Sequence, residues 1–309
     1  MKPMRVGVRA VSAWGLGGRD PAIGATAEGP AAPSRLPAGG AAAGEARSPA
    51  AAAGAPPTFV PAREAEGGPG GGTTFFLAPD PVRPERFPAG TWRKMSRLAR
   101  LFVTAAEPLV ELAPEATLIA GVSGGEFASS VAFLESYFVR GAALSSPLAF
   151  QNSVHNAPAA HLSIGLGLRG ASETVLGGER TLWRTLERAM ARVIVHGAPV
   201  LVVVAEDLTA EVADGLAVAG ATGKWGEGAA AFLLTAESGI PLTWHDGPAP
   251  KGAWARSQRW PDEPPRSPVS ALWDAAFGLG VGAEAVALAA VLRGGSGAFA
   301  GPQSWLEVG

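Results

Sequence analysis

Residues 181–205 read TLWRTLERAMARVIVHGAPVLVVVA, and two structural periods lie side by side within them. Thr181–His196 is the clearest amphipathic helix in the chain, with apolar side chains returning at helical spacing. Beyond Gly197 the pattern changes. Residues 199–205 form a continuous, mostly β-branched run, the mark of a central strand covered on both faces. A helix that delivers the chain into a doubly covered strand is the unit of a layered α/β fold.

The same alternation continues outward. Upstream, residues 117–122 (TLIAGV) are a short apolar run ended by glycines, hence a buried strand, and 127–140 form a second helix. Residues 155–168 predict a third helix, apolar on most sides and so expected to be buried. Residues 91–112 are amphipathic, with Met95, Leu98, Leu101, Phe102, Ala105, Leu109 and Leu112 along one side; Pro108 should kink this helix or divide it in two. Residues 5–14 (RVGVRAVSAW) predict a first strand with a turn at 15–18, and 229–235 (AAAFLLT) a last core strand. From 244 to 268 three tryptophans and several prolines follow no period, and a helical pattern returns over 268–292. No internal repeat is present.

Composition sets the limits. The chain has 309 residues, 47% hydrophobic and 17% charged, with net charge −2 and no cysteine. Without cysteine there is no disulfide scaffold, no thiolate metal site and no cysteine nucleophile. Near-neutral charge gives no electrostatic footprint for nucleic acid. No apolar stretch reaches the ~20 residues of a membrane span, and the first residues lack a signal-peptide core, so a soluble, cytoplasmic protein is expected. Gly 42 and Pro 27 are about double ordinary usage and concentrate near the start. Residues 20–72, rich in Ala, Gly, Pro and Ser, are read as a low-complexity, disordered insert. The expected organisation is a first strand and turn over 1–19, the insert over 20–72, the core over 73–237, and a Trp/Pro-rich segment with a C-terminal helix covering the core over 238–309.

Four patterns invite a chemical reading. Residues 121–125 (GVSGG) fit G-x-S-x-G between a strand and a helix, the setting of a nucleophile elbow. They make Ser123 a candidate hydrolase nucleophile, with Asp207 as acid and His196 or His245 as base; the alternative is a glycine-rich turn that allows close packing. Residues 165–170 (GLGLRG) spell G-x-G-x-x-G at the end of a helix, where the dipole repels phosphate, so no dinucleotide site is expected. His155, His161, His196 and His245 are scattered without a carboxylate cluster, and no metal site or cofactor is expected. In residues 153–157 (SVHNA) the polar side chains either cap a helix or face an interface or pocket. Glu227, between Gly226 and Gly228, is either catalytic or part of a turn that feeds a strand.

Taken in order, these segments resemble the N-terminal half of a β-ketoacyl synthase, a thiolase-like condensing enzyme. Residues 93–106 (RKMSRLARLFVTAA) resemble the helix that opens R-M-x-R-x-x-x-L in the family, 146–170 (SPLAFQNSVHNAPAAHLSIGLGLRG) its N-x-x-A-x-x-x-S-I-x-x-G-L-x-G stretch, and 226–236 its G-E-G-A strand. The Ser-Val-His-Asn-Ala form is similar to the short chain length factors of aryl-polyene-type pathways. The resemblance implies a thiolase-like layered α/β fold, N-terminal half only. It places the family's acylated cysteine at Gly178, which has no side chain to acylate. The family's histidine motifs, H-G-T-G-T and G-H-x-x-G, are absent.

What the resemblance therefore implies is a subunit with no condensing activity of its own. Such a chain length factor pairs with an active β-ketoacyl synthase in polyketide or fatty-acid-type biosynthesis and meets acyl carrier protein indirectly. Phe150, Asn152, Val154, His155 and Asn156 would then lie at the interface or pocket, and Gly178 would leave room for an acyl chain. A serine hydrolase using Ser123 and a stand-alone acyl or carrier-protein binding module are the alternatives.

Overall fold

The computed structural model describes residues 3–15, 18–19, 73–78, 80–210, 223–255, 281–294, 296–301 and 303–309. The expected insert over 20–72 lies outside them, as does the first half of the 268–292 helical pattern.

Strand β6 (Val200–Glu206) shows why the sheet lies where it does. Its alternate residues serve two separate cores, as the two-residue period of a strand requires. Val200, Val202 and Val204 join one cluster with Leu182, Leu186, Met190 and Val193 of helix α6 (Thr181–His196) and Ala285–Ala289 of α7 (Val281–Gly294). Leu201, Val203 and Ala205 join the other, with Leu98, Leu101, Phe102 and Leu109 of α2 (Arg97–Val110) and Leu162 of α5 (Ala157–Leu166). β4 (Thr117–Val122) divides in the same way: Ile119 faces α6, while Leu118, Ala120 and Val122 face α2. Three layers result, helices above and below one sheet.

Among the described residues the sheet has ten strands. β5 (Ser172–Leu176), β4 and β6 are parallel, and β8 (Gly228–Thr235), β1 (Met4–Gly15) and β9 (Ile240–Asp246) follow antiparallel. β12 (Ser304–Val308), β11 (Gly297–Ala300) and β10 (Trp254–Ala255) complete the far edge, and β2 (Gly18–Arg19) folds back on β1. β3 (Thr73–Phe76) and β7 (Gly223–Gly226) form a separate parallel pair. This is the layered α/β architecture that the sequence predicts.

Three expectations change. The 91–112 segment is divided, but not at Pro108. A short α1 (Ala89–Trp92) ends before Ser96, whose extended backbone and side chain, accepting from the Ala99 amide at 3.0 Å, restart the chain as α2. Pro108 sits two residues before the helix end, so the one hydrogen bond it removes does not interrupt the helix. The 155–168 segment is shorter and less buried than expected. Its helix is α5 alone, with a separate α4 (Pro147–Ser153) ahead of it, and α5 buries only the side that meets α2, leaving Ile164 83% exposed. Finally, a strand not expected, β9, runs into the start of the aperiodic stretch, and its alternate residues Leu242 and Trp244 are buried. Gly167, in the left-handed region at φ 71°, ends α5 with its amide on the Ser163 carbonyl. The glycines of residues 165–170 thus close a helix, as expected.

Candidate functional site

The C-terminal ends of parallel strands are where an α/β sheet exposes its loops to a ligand. Here β4, β5 and β6 end together, and the segments that leave them carry Ser123, Glu126, Gly178 and Asp207.

From β5 the chain turns through Gly177 and Gly178 into α6. Gly178 is exposed, adopts φ 53°, and has open space where a Cβ would stand. The Thr181 hydroxyl braces the turn, accepting from the Gly177 amide at 3.0 Å and donating to the Gly178 carbonyl at 2.7 Å. The position that the resemblance gives to the acylated cysteine therefore lies on an ordered turn at the start of a core helix and carries no nucleophile.

From β4 the chain enters Ser123-Gly124-Gly125. The Ser123 hydroxyl donates to Glu206 Oε1, at the end of the neighbouring β6, at 2.6 Å. Gly125 is in the left-handed region at φ 67°, and a Cβ built on it would lie 2.0 Å from Nδ1 of His155. Only glycine lets that imidazole pack on the turn. The histidines proposed as bases for Ser123 are elsewhere. His196 ends α6 just before β6 begins, at the opposite end of the strands. His245 is on β9, separated from β6 by β8 and β1, where it stacks on Trp305 at 4.1 Å and pairs with Glu307 at 2.9 Å. Neither can take a proton from Ser123, so the expected serine, histidine and acid do not come together.

Asp207 does lie at the Ser123 end of the sheet, but in the wrong state to orient an imidazolium. Burial, then the neighbouring charges of Glu126 and Glu227, push its carboxyl up to about 8. It belongs to a set of buried carboxyls. Glu126 precedes α3 (Phe127–Arg140) and accepts from the Ser96 hydroxyl at 2.5 Å and the Ser129 hydroxyl at 2.9 Å; burial raises its pKa. Glu227 lies between β7 and β8, where Arg97 Nε donates to its Oε1 at 2.6 Å, while Oε2 is buried with no hydrogen-bond partner among the described residues. Burial pushes Glu227 up to about 7 against the opposing pull of Arg97. Arg97 also reaches Asp80 at 2.6 Å and the Ala78 carbonyl at 2.7 Å. So Glu227 is more than a turn residue: with Arg97 it ties the start of α2 to the entry of β8.

The sequence reading missed Glu126, Glu206 and Arg97 as members of this set. The one available signal was a pair of carboxylates, Glu206-Asp207, directly after a fully buried strand. Within the set the charges of Glu126, Glu227 and Glu206 all act to raise Asp207, so the titration of these carboxyls is coupled. Among the described residues no group of three or more His, Asp or Glu side chains is arranged to hold a metal ion.

The remaining candidates lie on α3, α4 and the start of α5. α3 buries none of its side chains: Phe138 is 77% and Val139 82% exposed, and Phe133 packs on Phe150 of α4 at 5.2 Å between ring centres. Phe150 and Val154 are exposed, as are His155 and Asn156. Asn156 occupies the cap position of α5 without a side-chain cap hydrogen bond. Asn152 differs from this group. It is buried, donates to the Lys94 carbonyl at 2.8 Å, and lies 3.2 Å from Nε2 of His161, whose pKa burial lowers. Its side chain is used within the fold, joining α4 to α5 and to the segment before α2.

Residues 77–270 match the family model of the β-ketoacyl synthase N-terminal domain. Among solved structures, the fold is similar to a chain of the ketosynthase ApeO in complex with its chain length factor ApeC from Xenorhabdus doucetiae: TM-score 0.51, 19% identity, 75% of this chain and 83% of that one. It is also similar to a chain of the ishigamide ketosynthase/chain length factor: TM-score 0.55, 16% identity, 75% of this chain and 85% of that one. At such identities the likeness is one of fold. No curated protein matches the sequence.

Proposed function

We propose that this chain, which belongs to the β-ketoacyl synthase N-terminal-domain family, is a non-condensing, chain-length-factor-like subunit that pairs with an active ketosynthase. One observation carries the reading. β5 is an edge strand with no outer partner among the described residues, and α3, α4 and the residues that join and follow them present Phe138, Val139, Leu144, Leu148, Phe150 and Val154 to solvent. A contiguous apolar face of this kind marks an interaction surface, and a subunit of the same fold could bury it over an obligate-sized interface of ~2,000 Å² or more.

Gly178 supports the other half of the reading. Covalent acyl transfer needs a nucleophile and stabilisation of its intermediate; the turn into α6 offers an ordered backbone and an open position instead. In a heterodimer that position would give space to a chain held by the partner's nucleophile. Phe150, Val154, His155 and Asn156 are then interface residues, and Asn152 holds α4, which carries Phe150, in place from behind.

Co-expression with a ketosynthase encoded beside it, followed by gel filtration at micromolar concentration, tests the pairing. Co-elution is expected, and Phe138→Asp together with Val139→Asp should abolish it without unfolding the chain, since both side chains are solvent-exposed here. Separate elution of the wild-type proteins would refute the subunit role.

A further inference from the structure

A cleft lies on the face of the sheet covered by α6, and the pairing described above makes no use of it. It measures about 120 Å³ and lies between the first turns of α6 and the turn that joins β11 to β12. Arg180 and Arg184 form one wall, and Gln303 and Ser304 the other. Its floor is aromatic and fixed in place. Trp183 stacks on Phe299 at 5.8 Å, meets Trp244 edge-on at 5.5 Å, and donates its indole N–H to Glu284 at 2.8 Å. Gly301 completes this packing, since a Cβ there would lie 2.4 Å from the Trp183 ring.

Charge in the cleft is unbalanced. Neither arginine has a hydrogen-bonding or ion-pair partner for its guanidinium among the described residues. Some other arginines are paired: Arg188 of α6 with Glu173 at 2.7 Å, Arg86 with Glu111 at 2.7 Å, and Arg97 with Glu227. Glu187 at the rim is the one acidic group lining the cleft, which leaves one net positive charge. The Arg184 stem lies over the α6 turn, with its Cδ 3.1 Å from where a Gly177 Cβ would stand. Absence of a side chain at Gly177 thus sets the course of this arginine beside the Gly178 turn.

We propose that this cleft binds a phosphate ester, its oxyanion held between Arg180 and Arg184 and its apolar substituent against the Trp183–Trp244 floor. The donor set favours phosphate over carboxylate. Two guanidinium forks, a serine hydroxyl and a glutamine amide offer more donors than two carboxylate oxygens accept, while a phosphate monoester presents three terminal oxygens. Arginine is the side chain suited to bidentate recognition of that group.

Methyl phosphate and acetate, titrated calorimetrically into the full-length chain, test the proposal without a ketosynthase present. Saturable binding of methyl phosphate in the low millimolar range, tighter than acetate, is expected. Arg180→Gln and Arg184→Gln should each weaken it about tenfold or more, the scale of a lost charge-assisted hydrogen bond. Arg188→Gln, on the same helix but already paired with Glu173, should leave it unchanged. Circular dichroism should show all three variants folded. No saturable binding to the wild type, acetate binding as tightly as methyl phosphate, or binding indifferent to Arg180 and Arg184 would overturn the assignment. Each of these results is independent of whether the chain pairs with a ketosynthase.

Discussion

Replacing Asp207 by asparagine should stabilise this protein, and only above acid pH. Asp207 is buried beside Glu126, Glu206 and Glu227, and its carboxyl is pushed up from 3.8 to about 8, first by burial. Below pH 4 both folded and unfolded chains hold the proton, and the carboxyl adds no pH dependence. Between pH 4 and pH 8 the unfolded chain releases the proton while the fold retains it, so stability falls as pH rises, by up to about 1.4 kcal/mol per unit. Over this window the loss approaches about 5 kcal/mol, and above pH 8 it levels off. Asparagine keeps the shape and a carbonyl oxygen for the residue's own backbone amide, but it is neutral throughout. Urea unfolding of wild type and Asp207→Asn at pH 4, 6 and 8 should therefore give nearly equal stabilities at pH 4. The variant should lead by several kcal/mol at pH 8, a gain on the order of 10 °C in melting temperature. Glu227, raised to about 7, contributes a slope of the same sign, so the variant keeps a shallower decline. A constant difference at all three pH values, or a variant less stable at pH 8, would refute the claim that this aspartate is held neutral by the fold.

Two further outcomes follow from the glycine turns. Gly125→Ala should cost about 1–2 kcal/mol, because φ 67° is unfavourable for an L side chain. It should also displace the His155 imidazole from the turn; denaturant unfolding and the His155 NMR signals measure the two effects, and unchanged His155 signals would contradict the close packing. Gly178→Cys should accept a Cβ without collision, since nothing lies within 4 Å of it, though φ 53° gives it the same kind of backbone cost as Gly125→Ala. Slow acylation by an activated acyl thioester, seen by intact mass, is expected without condensation turnover on a malonyl carrier protein; turnover would show that the family's missing histidines are not required.

Much of the fold was legible because its elements are locally consistent. β4, α3 and α6 occupy the ranges expected from their patterns, and β6 differs by one residue at each end. The helix break at Ser96 was misplaced because Pro108 is the more conspicuous local signal, yet its position near the end of α2 makes it harmless. β9 was missed because Pro241 and the surrounding tryptophans obscure a short alternation that is half buried. In the candidate site, Gly178 and the exposed Phe150, Val154, His155 and Asn156 were nameable from the family pattern. Ser123 was nameable too, but its partner was not: the sequence offered Asp207 with either His196 or His245, whereas the sheet order places Glu206 beside it and His196 and His245 far away.

The division has a physical basis. Periodicity, glycine stops and the absence of cysteine are properties of neighbouring residues, and they alone determined the layered α/β class, the helices about the core and the lack of a thiol nucleophile. Strand order is not local. Arg97 meets Glu227 across 130 positions, and Glu126 shares its burial with Asp207, only because β4, β6 and β8 lie side by side in the sheet. The protonation of those carboxyls, the seating of His155 on Gly125 and the unpaired arginines over the tryptophan floor were decided by the tertiary structure, since burial and charge proximity exist only once distant segments have packed together.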